Sequence, residues 1–300
     1  MISLTKASSS QQGAAVIMAL FTVALVAGIA TTLVSNLGVA MNYVEGRHDQ
    51  AQAKQLARGA LDWARNVLAD DFQNNAEIDH FGEAWAVRVP PTPVEEGQMS
   101  GELQDMSGRF NLNSLVAAEG PNAKNAEIFV KLLGLNGVPQ NEAQKLSSAV
   151  QQWLMKNKPT STRLVDVKEL LSIKGFTPEV VTRLSASVAA LPTEENIINA
   201  NTAPALVLAA AVQNLSIDLA RQVVAERNRT WFKDASDLKT RLANHQLEIG
   251  SSTFGVMSRF FLATVRAKYG VSMIRMEVLL DRSPQLYGSA WPAIIWQKTL

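Results

Sequence analysis

The sequence of 300 residues contains no cysteine. This absence excludes disulfide frameworks, thiolate metal sites and cysteine nucleophiles. Histidine occurs only at three scattered positions, His48, His80 and His245. Neither sign of charge is in clear excess, since 28 lysines and arginines face 27 aspartates and glutamates. The composition therefore offers no electrostatic indication of a nucleic acid or another polyanion as a partner.

The sequence also lacks the short motifs that carry catalysis in common enzyme classes. It contains no phosphate-binding GxxxxGK[ST] loop, no GxSxG nucleophile elbow and no HExxH metal motif. Four acidic residues are most simply interpreted as helix caps and surface charges: Asp166, Glu169, Glu194 and Glu195. We therefore predict no catalytic residue and no enzymatic activity.

Proline is absent before Pro90, so no proline interrupts a helix in the preceding segment. Within this segment, residues 14–34 (AAVIMALFTVALVAGIATTLV) contain no charged side chain. A helix of about 20 apolar residues spans a bilayer core, so this run predicts a transmembrane helix. Lys6 precedes the run and no basic cluster follows it directly, which places the amino terminus in the cytoplasm under the positive-inside rule.

Residues 35–75 are expected to continue this helix beyond the membrane. Apolar side chains such as Leu56, Ala60 and Ala64 recur at steps of three and four, opposite charged residues. A continuous helix from residue 14 to about Asp70 would be about 80 Å long at 1.5 Å per residue. One half would lie in lipid and the other would pack on a folded domain.

Strand patterns occur in two groups that are far apart in the sequence. Residues 84–90 alternate apolar and polar side chains and predict a strand, and the proline-rich PPTPVEEG after them predicts a loop. Residues 99–113 predict short extended segments joined by Gly101 and Gly108. The second group comprises three predicted strands, at residues 260–270, 272–282 and 293–300.

A helical region from about Asn122 to about Leu242 separates the two groups of strands. Strands on both sides of a helical block favour one sheet with an insertion over three successive domains. We predict an α+β fold in which the long N-terminal helix packs on a small antiparallel sheet. The sheet domain would comprise residues 76–113 and 246–300, and residues 114–245 would form a large all-helical insertion.

The helical region can be divided into three similar helix-turn-helix units, at residues 125–154, 165–188 and 203–228. The last two resemble SAM-like helix-hairpin-helix modules, which bind DNA backbones through a glycine-rich turn. The third unit has Asn214 in the turn where glycines are expected. A membrane-anchored DNA-binding protein of the DNA-uptake type is therefore the alternative function, while a compact helical scaffold is the simpler interpretation.

The segment before the apolar run resembles the class III leader of type IV pilins and pseudopilins. An ordinary secretory signal is cut after its apolar region, whereas here the expected cleavage site, Gly13 followed by Ala14, precedes it. Removal of the leader, residues 1–13, would leave the hydrophobic helix at the new amino terminus. The alternative is an uncleaved signal anchor.

Two asparagine-rich motifs carry a more specific resemblance, DMSGRFNLNSL at residues 105–115 and INANTAPALVLAA at residues 198–210. RNRTWFKDASDL follows at residues 227–238. With the leader and the closing strands, these motifs resemble the minor pseudopilin K family of type II secretion systems, the general secretion pathway protein K, over almost the whole chain. The motif residues with an expected structural role are Asp105, Gly108, Arg109, Asn111, Asn113, Asn199, Asn201 and Thr202.

The asparagines of these motifs are expected to be structural rather than catalytic. Asparagine and aspartate side chains bond to nearby backbone groups and fix turns and helix starts. We expect them to hold the junctions at which strands give way to the insertion. Thr202 and Pro204 are expected to open a helix.

The resemblance implies a non-enzymatic minor pseudopilin at the tip of the pseudopilus. It would initiate assembly with the I and J minor pseudopilins for protein export across the outer membrane. The family implies cleavage after Gly13 by prepilin peptidase, N-methylation of Ala14, and an insertion that faces the secretin or the exported substrate. The protein would cross the bacterial inner membrane once, with a cytoplasmic amino terminus and a periplasmic body, and would bind no nucleic acid.

Met18 departs from the usual pseudopilin pattern. Most members of that class carry a glutamate five residues after the cleavage point, thought to neutralise the amino terminus of a neighbouring subunit, and Met18 occupies that position here. An unpaired carboxylate is costly in lipid. A subunit with no neighbour ahead of it has no amine to pair with, so the missing glutamate fits a position at the tip.

A second departure concerns calcium. Members of the family carry an acidic loop in the insertion, after a Trp-x-Asp element, that binds calcium through oxygen ligands. The corresponding stretch here, WLMKNKPTSTRLVDVKEL, is short and cationic. We therefore predict that this calcium site is lost and that the protein holds no cofactor.

Overall fold

The structure of the protein is a computed structural model that describes residues 10–74, 77–156, 163–243, 253–283 and 291–300. Residues 1–9 of the expected leader lie outside the described residues. The described helices, in chain order, are α1 Ser10–Asn74, α2 Ala123–Leu135, α3 Gln140–Lys156, α4 Pro178–Leu184, α5 Ala205–Ala211, α6 Ile217–Arg227 and α7 Ala235–Ala243. Short 3-10 turns occupy Ala84–Ala86, Leu112–Leu115 and Val167–Ser172.

The strands form one main sheet and three short pairs. In chain order they are β1 Val89–Val94, β2 Gly97–Asp105, β3 Phe110–Asn111, β4 Val116–Ala117, β5 Gly120–Pro121, β6 Val188–Ala189, β7 Ile198–Asn199, β8 Phe254–Gly255, β9 Phe260–Tyr269, β10 Ser272–Asp281 and β11 Ala293–Thr299. The main sheet has the order β1-β2-β9-β10-β11, and all its pairings are antiparallel.

The helical insertion leaves the main sheet after β2 and returns to it at β9, and these two strands are neighbours in the sheet. The second half of α1 packs on the sheet, where Ala53, Leu61 and Leu68 share a core with Phe261 and Met276. The predicted α+β fold, with a long apolar N-terminal helix and a small antiparallel sheet, is confirmed.

The first strand was predicted at the wrong place. Residues 84–86 of the expected strand form a 3-10 turn, and the proline-rich segment predicted as a loop contributes most of β1. Proline lacks the N–H that an interior ladder needs, so it is confined to edge strands and bulges. β1 is an edge strand that pairs only with β2, and its register shifts between Val89 and Thr92.

The turns of the three helical hairpins have one feature in common. Each turn contains one residue in the left-handed region, namely Gly137 (φ 82°), Gly175 (φ 105°) or Asn214 (φ 60°). Asparagine is one of the few residues besides glycine that adopts this conformation readily, so Asn214 fills the position where a glycine was expected. Two residues further on, Thr177 and Ser216 cap the helices α4 and α6 through their hydroxyl groups. The first helix of the middle unit is a 3-10 turn rather than an α-helix.

The insertion core begins and ends at positions that differ from the predicted boundaries. Phe110 and Phe254 both belong to this core. Short parallel strand pairings hold both residues in this core, since Phe110 pairs with Val188 and Phe254 pairs with Ile198. The chain therefore enters the insertion core before residue 113 and leaves it after residue 254. The predicted second boundary, at residues 245 and 246, lies outside the described residues.

Candidate functional site: an exposed helix and a buried polar junction

The first half of α1 exposes almost all of its apolar surface. Every described side chain from Gly13 to Glu45 is exposed, and large residues such as Phe21, Val26 and Leu33 are each more than half exposed. Apolar area of this extent is unfavourable in water and marks a surface that lipid or another protein covers. Among the described residues, α1 is the one helix long and apolar enough to cross a membrane.

Gly13, Ala14 and Met18 lie in the first turns of α1. A Cβ atom built on Gly13 would meet no atom within 4 Å, apart from its helix neighbours, and Met18 is 71% exposed. These three positions are therefore accessible from the outside of the helix. They lie on the exposed half of α1, away from the residues of the asparagine-rich motifs.

Asp105 is the centre of a buried polar group that we call the junction cluster, consisting of Asp79, Asp105, Asn199, Thr202, Ser258 and Arg282. One carboxylate oxygen of Asp105 accepts the backbone N–H of Ser107 at 2.7 Å. The other accepts the hydroxyl groups of Thr202 and Ser258, each at 2.5 Å, and the side-chain amide of Asn199 at 3.3 Å. Asp105, the last residue of β2, is thereby joined to Thr202 in the second asparagine-rich motif and to Ser258 shortly before β9.

Asn199 joins the two asparagine-rich motifs through its backbone and its side chain. Its backbone N–H donates to the carbonyl of Ser107 at 3.0 Å. Its side-chain amide donates to the carbonyl of Asp79 at 3.1 Å and to the hydroxyl of Ser258 at 2.6 Å. Its side-chain oxygen accepts the backbone N–H of Asn201. All of its amide atoms are satisfied in a site that is fully buried.

Thr202 does not open a helix as predicted. Its hydroxyl donates to Asp105, and the residue that precedes α5 is Pro204, which makes no side-chain cap. Gly108 explains part of this arrangement, because a Cβ atom at that position would lie only 2.8 Å from the carbonyl carbon of Thr202. The glycine of the first motif is therefore required for close approach of the second motif.

The remaining motif residues join other distant segments. The side chain of Asn113 donates to the carbonyls of Leu164 and Leu191, each at 2.8 Å, and accepts the N–H of Leu164. Asn111 accepts the N–H of Leu191 and donates to two carbonyls near residue 194. Arg109 donates to the carbonyl of Ser185 and to the side chain of Gln104.

The third motif, residues 227–238, packs against the second. Arg227 donates to the carbonyls of Ala200 and Ala203, at 2.8 and 2.6 Å, and burial lowers its pKa to about 10. Asn201 exchanges two hydrogen bonds with the backbone of Phe232, accepting at 2.7 Å and donating at 2.9 Å. The three motifs are therefore connected through side chains that bond to backbone groups.

Three members of the junction cluster were not found from the sequence: Asp79, Ser258 and Arg282. Arg282 donates to Asp71 at 2.8 Å, to Asp79, and to the carbonyl of Ser258 at 3.0 Å. In the sequence it only follows Asp281, the charged residue that ends β10. Because Asp79 lies 203 positions away, no local pattern connects the two residues.

Burial raises the pKa values of the junction carboxylates. It raises the pKa of Asp79 to about 6, although Arg282 acts in the opposite direction. Burial also raises the pKa of Asp105, despite the hydrogen bonds that it accepts, and burial with the charge of Glu83 raises the pKa of Asp71. Asp71, Asp79 and Glu83 lie close enough to hold a cation, with ligand atoms within 4.8 Å. Arg282 already supplies positive charge to two of them.

Comparison with known families connects these motifs to one group of proteins. Two family models, both described as Type II secretion system (T2SS), protein K, match residues 108–193 and 198–257. The chain is thus similar to the type II secretion system protein K family in both matched segments. The first match begins three residues after Asp105 and the second ends directly before Ser258, so each outer limit lies near one residue of the junction cluster.

Curated relatives match over most of the chain. The type II secretion system protein K of Pectobacterium carotovorum is 26% identical, over 92% of this chain and 94% of the relative. The protein K of Pseudomonas aeruginosa is 28% identical, over 84% of this chain and 83% of the relative. A solved structure, the GspK-GspI-GspJ complex from enterotoxigenic Escherichia coli, contains a chain with a TM-score of 0.65 and 19% identity. The match covers 86% of this chain and 99% of that chain, so the two share a fold.

Proposed function

We propose that this protein acts as a minor pseudopilin at the tip of the pseudopilus, where it initiates assembly for protein export across the outer membrane. The continuity of α1 carries the proposal, because one unbroken helix has an exposed apolar half and a half packed on the sheet. A subunit built in this way can pack its free half against the helices of neighbouring subunits while its body stays folded.

The I and J minor pseudopilins of the same system are the proposed partners. The structural relative was solved as a complex of GspK with GspI and GspJ, and the shared fold supports the same assembly here. The insertion would face the secretin or the exported substrate. The alternative, a membrane-anchored DNA-binding protein, is not favoured, since the matched relatives are named as secretion proteins.

The leader is proposed to be cut after Gly13 by prepilin peptidase, with methylation of the new amino terminus at Ala14. The supporting observation is that both residues are accessible in the first turns of an exposed helix. With Met18 in place of the usual glutamate, the helix has no carboxylate in lipid that would need the amino terminus of a neighbouring subunit as its partner. This suits a terminal subunit, which has no neighbour ahead of it. The body would lie in the periplasm and the amino terminus in the cytoplasm, as Lys6 indicates.

The role is proposed to be structural, without catalysis or a bound cofactor. Asp105, the most connected carboxylate of the junction cluster, is engaged in hydrogen bonds within the chain. Loss of the family calcium site also remains a proposal, since residues 157–162 of the stretch concerned lie outside the described residues. A melting temperature of the purified protein that falls substantially on addition of a calcium chelator would contradict it.

Amino-terminal analysis of membrane-extracted protein tests the processing step. We expect mass spectrometry to find a chain that begins at methylated Ala14. An intact Met1, or a start beyond Leu33, would contradict the pseudopilin proposal. Gly13→Leu should block cleavage, whereas the conservative variant Met18→Leu should leave it intact.

Co-purification tests the assembly step. We expect a tagged chain to recover the I and J proteins from the same bacterium, and secretion of the substrates of the system to fail without it. Normal secretion in a strain that lacks this protein would contradict the proposed role. Salt-sensitive binding of duplex DNA by residues 36–300 would instead favour the alternative function.

A further inference from the structure

The turn between β9 and β10 lies against α1 where this helix first becomes packed. The backbone N–H of Val271 donates to the carboxylate of Asp49 at 3.0 Å, and the ring of Tyr269 lies 6.3 Å from that of His48. The next hairpin, between β1 and β2, contacts α1 near Leu56, about two turns further along. Of these two hairpins, the β9–β10 turn therefore lies closer to the exposed half of α1.

The length of the exposed half places this turn near a membrane surface. No charged residue lies between Lys6 and Glu45. Residues 14–44 rise about 46 Å at 1.5 Å per residue, which is close to the 40–45 Å of a bilayer with its headgroups. Asp49 lies about 7 Å beyond residue 44 by the same rise. Membrane spans are tilted by about 20° on average, and such a tilt reduces the distance between the membrane surface and the side of the helix that leans towards it.

The side chains at this end suit a lipid interface. Val271 is 86% exposed at the turn and Met273 is 66% exposed beside it. Lys268 pairs with Met273 in the strand register. On α1, Tyr43 is 64% exposed, with the guanidinium of Arg47 5.8 Å from the centre of its ring. Tyrosines and long basic side chains favour the headgroup layer, where apolar tips can insert.

We propose that the β9–β10 turn rests on the headgroup layer of the membrane that α1 spans, with Val271 as the inserted side chain. The inference rests on the insertion of α1 that the proposed function includes. The occupant is this lipid surface because Asp49 holds the turn directly beyond the span. Glu45, Asp49, Glu95 and Glu96 outnumber Arg47 and Lys268 at this end, so the contact depends on apolar insertion and requires neither anionic lipid nor low salt.

The absence of native cysteine allows a direct test with single labels on the full chain. The three variants are Val271→Cys at the turn, Leu25→Cys within the span and Val165→Cys on the insertion, all exposed positions. Each carries the same fluorophore and is reconstituted into phosphatidylcholine vesicles. One set of vesicles contains lipid with a nitroxide on the headgroup, and another contains lipid with a nitroxide near the end of the acyl chain.

We expect the headgroup nitroxide to lower the fluorescence of the label at residue 271 about twofold at low and high salt, and to leave the label at residue 165 unchanged. Acyl-chain quenching at residue 25 without headgroup quenching at residue 271 would overturn the inference and leave membrane insertion intact. Quenching at residue 271 only at low salt would also overturn it. No quenching at residue 25 would overturn both the inference and the proposed insertion.

Discussion

The two halves of the continuous helix α1 differ in the burial of their apolar side chains. In the exposed half, large residues such as Phe21 and Leu25 are more than half exposed. In the packed half, small residues such as Ala53 and Ala57 are completely buried against the sheet. Alanine lets the backbone of α1 approach the strands closely, whereas the large side chains provide apolar area for lipid or for a second helix. Burial thus separates the two halves: the first leaves its apolar side chains exposed, and the second buries its apolar side chains, alanine and leucine alike, against the sheet.

The largest effect is expected at the end of the packed half, where Arg282 pairs with Asp71 and Asp79. Arg282→Met leaves both carboxylates buried without their cation. We expect the free energy of unfolding of residues 36–300 to fall by about 3–5 kcal/mol in urea denaturation. The matched control is Arg221→Met, because Arg221 pairs with Asp218 at an exposed site. A similar loss in the two variants would contradict the importance of the buried pairs.

A charge in the exposed half tests its need for an apolar environment. Leu25→Arg places a guanidinium near the middle of the span, which we expect to make insertion less favourable by about 3 kcal/mol. The fraction of the full chain that resists alkaline extraction from membranes should fall. Gln55→Arg, on the exposed face of the packed half, is the control and should leave that fraction unchanged. Unaltered extraction of Leu25→Arg would show that lipid does not surround this half.

Overpacking tests the packed half. Ala57→Leu adds volume at a position with no exposed area, and we expect the free energy of unfolding of residues 36–300 to fall by about 1–3 kcal/mol. Ala51→Leu, six residues earlier on an exposed face of the same helix, should change it by less than about 0.5 kcal/mol. Equal effects at the two positions would mean that α1 does not approach the sheet as closely as described.

The smallest effect concerns pH at the junction cluster. Because burial raises the pKa of Asp79 to about 6 from its ordinary 3.8, the folded state binds more protons than the unfolded state between these values. Stability should therefore fall as pH rises through this interval. From about pH 4.5 to 5.5 we expect a loss of about 1 kcal/mol in urea denaturation, and a smaller loss in Asp79→Asn. A stability that rises with pH over this interval would contradict the assignment.

The sequence predicted β9, β10 and the edge strand β11 better than β1 and β2, since β2 runs unbroken through Gly101, where two short segments were expected. β9 and β10 begin and end within one residue of their predicted bounds, because their alternating and apolar patterns reflect direct burial. β1 was missed because its prolines are unfavourable for an isolated strand and acceptable only at an edge. Its position in the sheet depends on β2, which is a tertiary relation.

The motif residues show the same difference between what local patterns predict and what tertiary contacts decide. Their residue types predicted side chains that bond to backbone groups, as Asn113 and Asn201 do. Thr202 was assigned to a helix start because a hydroxyl before an apolar run is typical of a cap. Its true partner, Asp105, lies 97 positions away, and Asp79, Ser258 and Arg282 join the same cluster from still other segments.

The sequence by itself determined the apolar run long enough to span a membrane, the long helix, the order of strands and insertion, and the family resemblance, because these follow from local patterns of size, polarity and spacing. Only the tertiary structure decided which buried charges meet and where the insertion core begins. It also decided that the β9–β10 turn lies against Asp49. These features depend on contacts between residues far apart in the chain, whose energies arise only when packing has removed them from water.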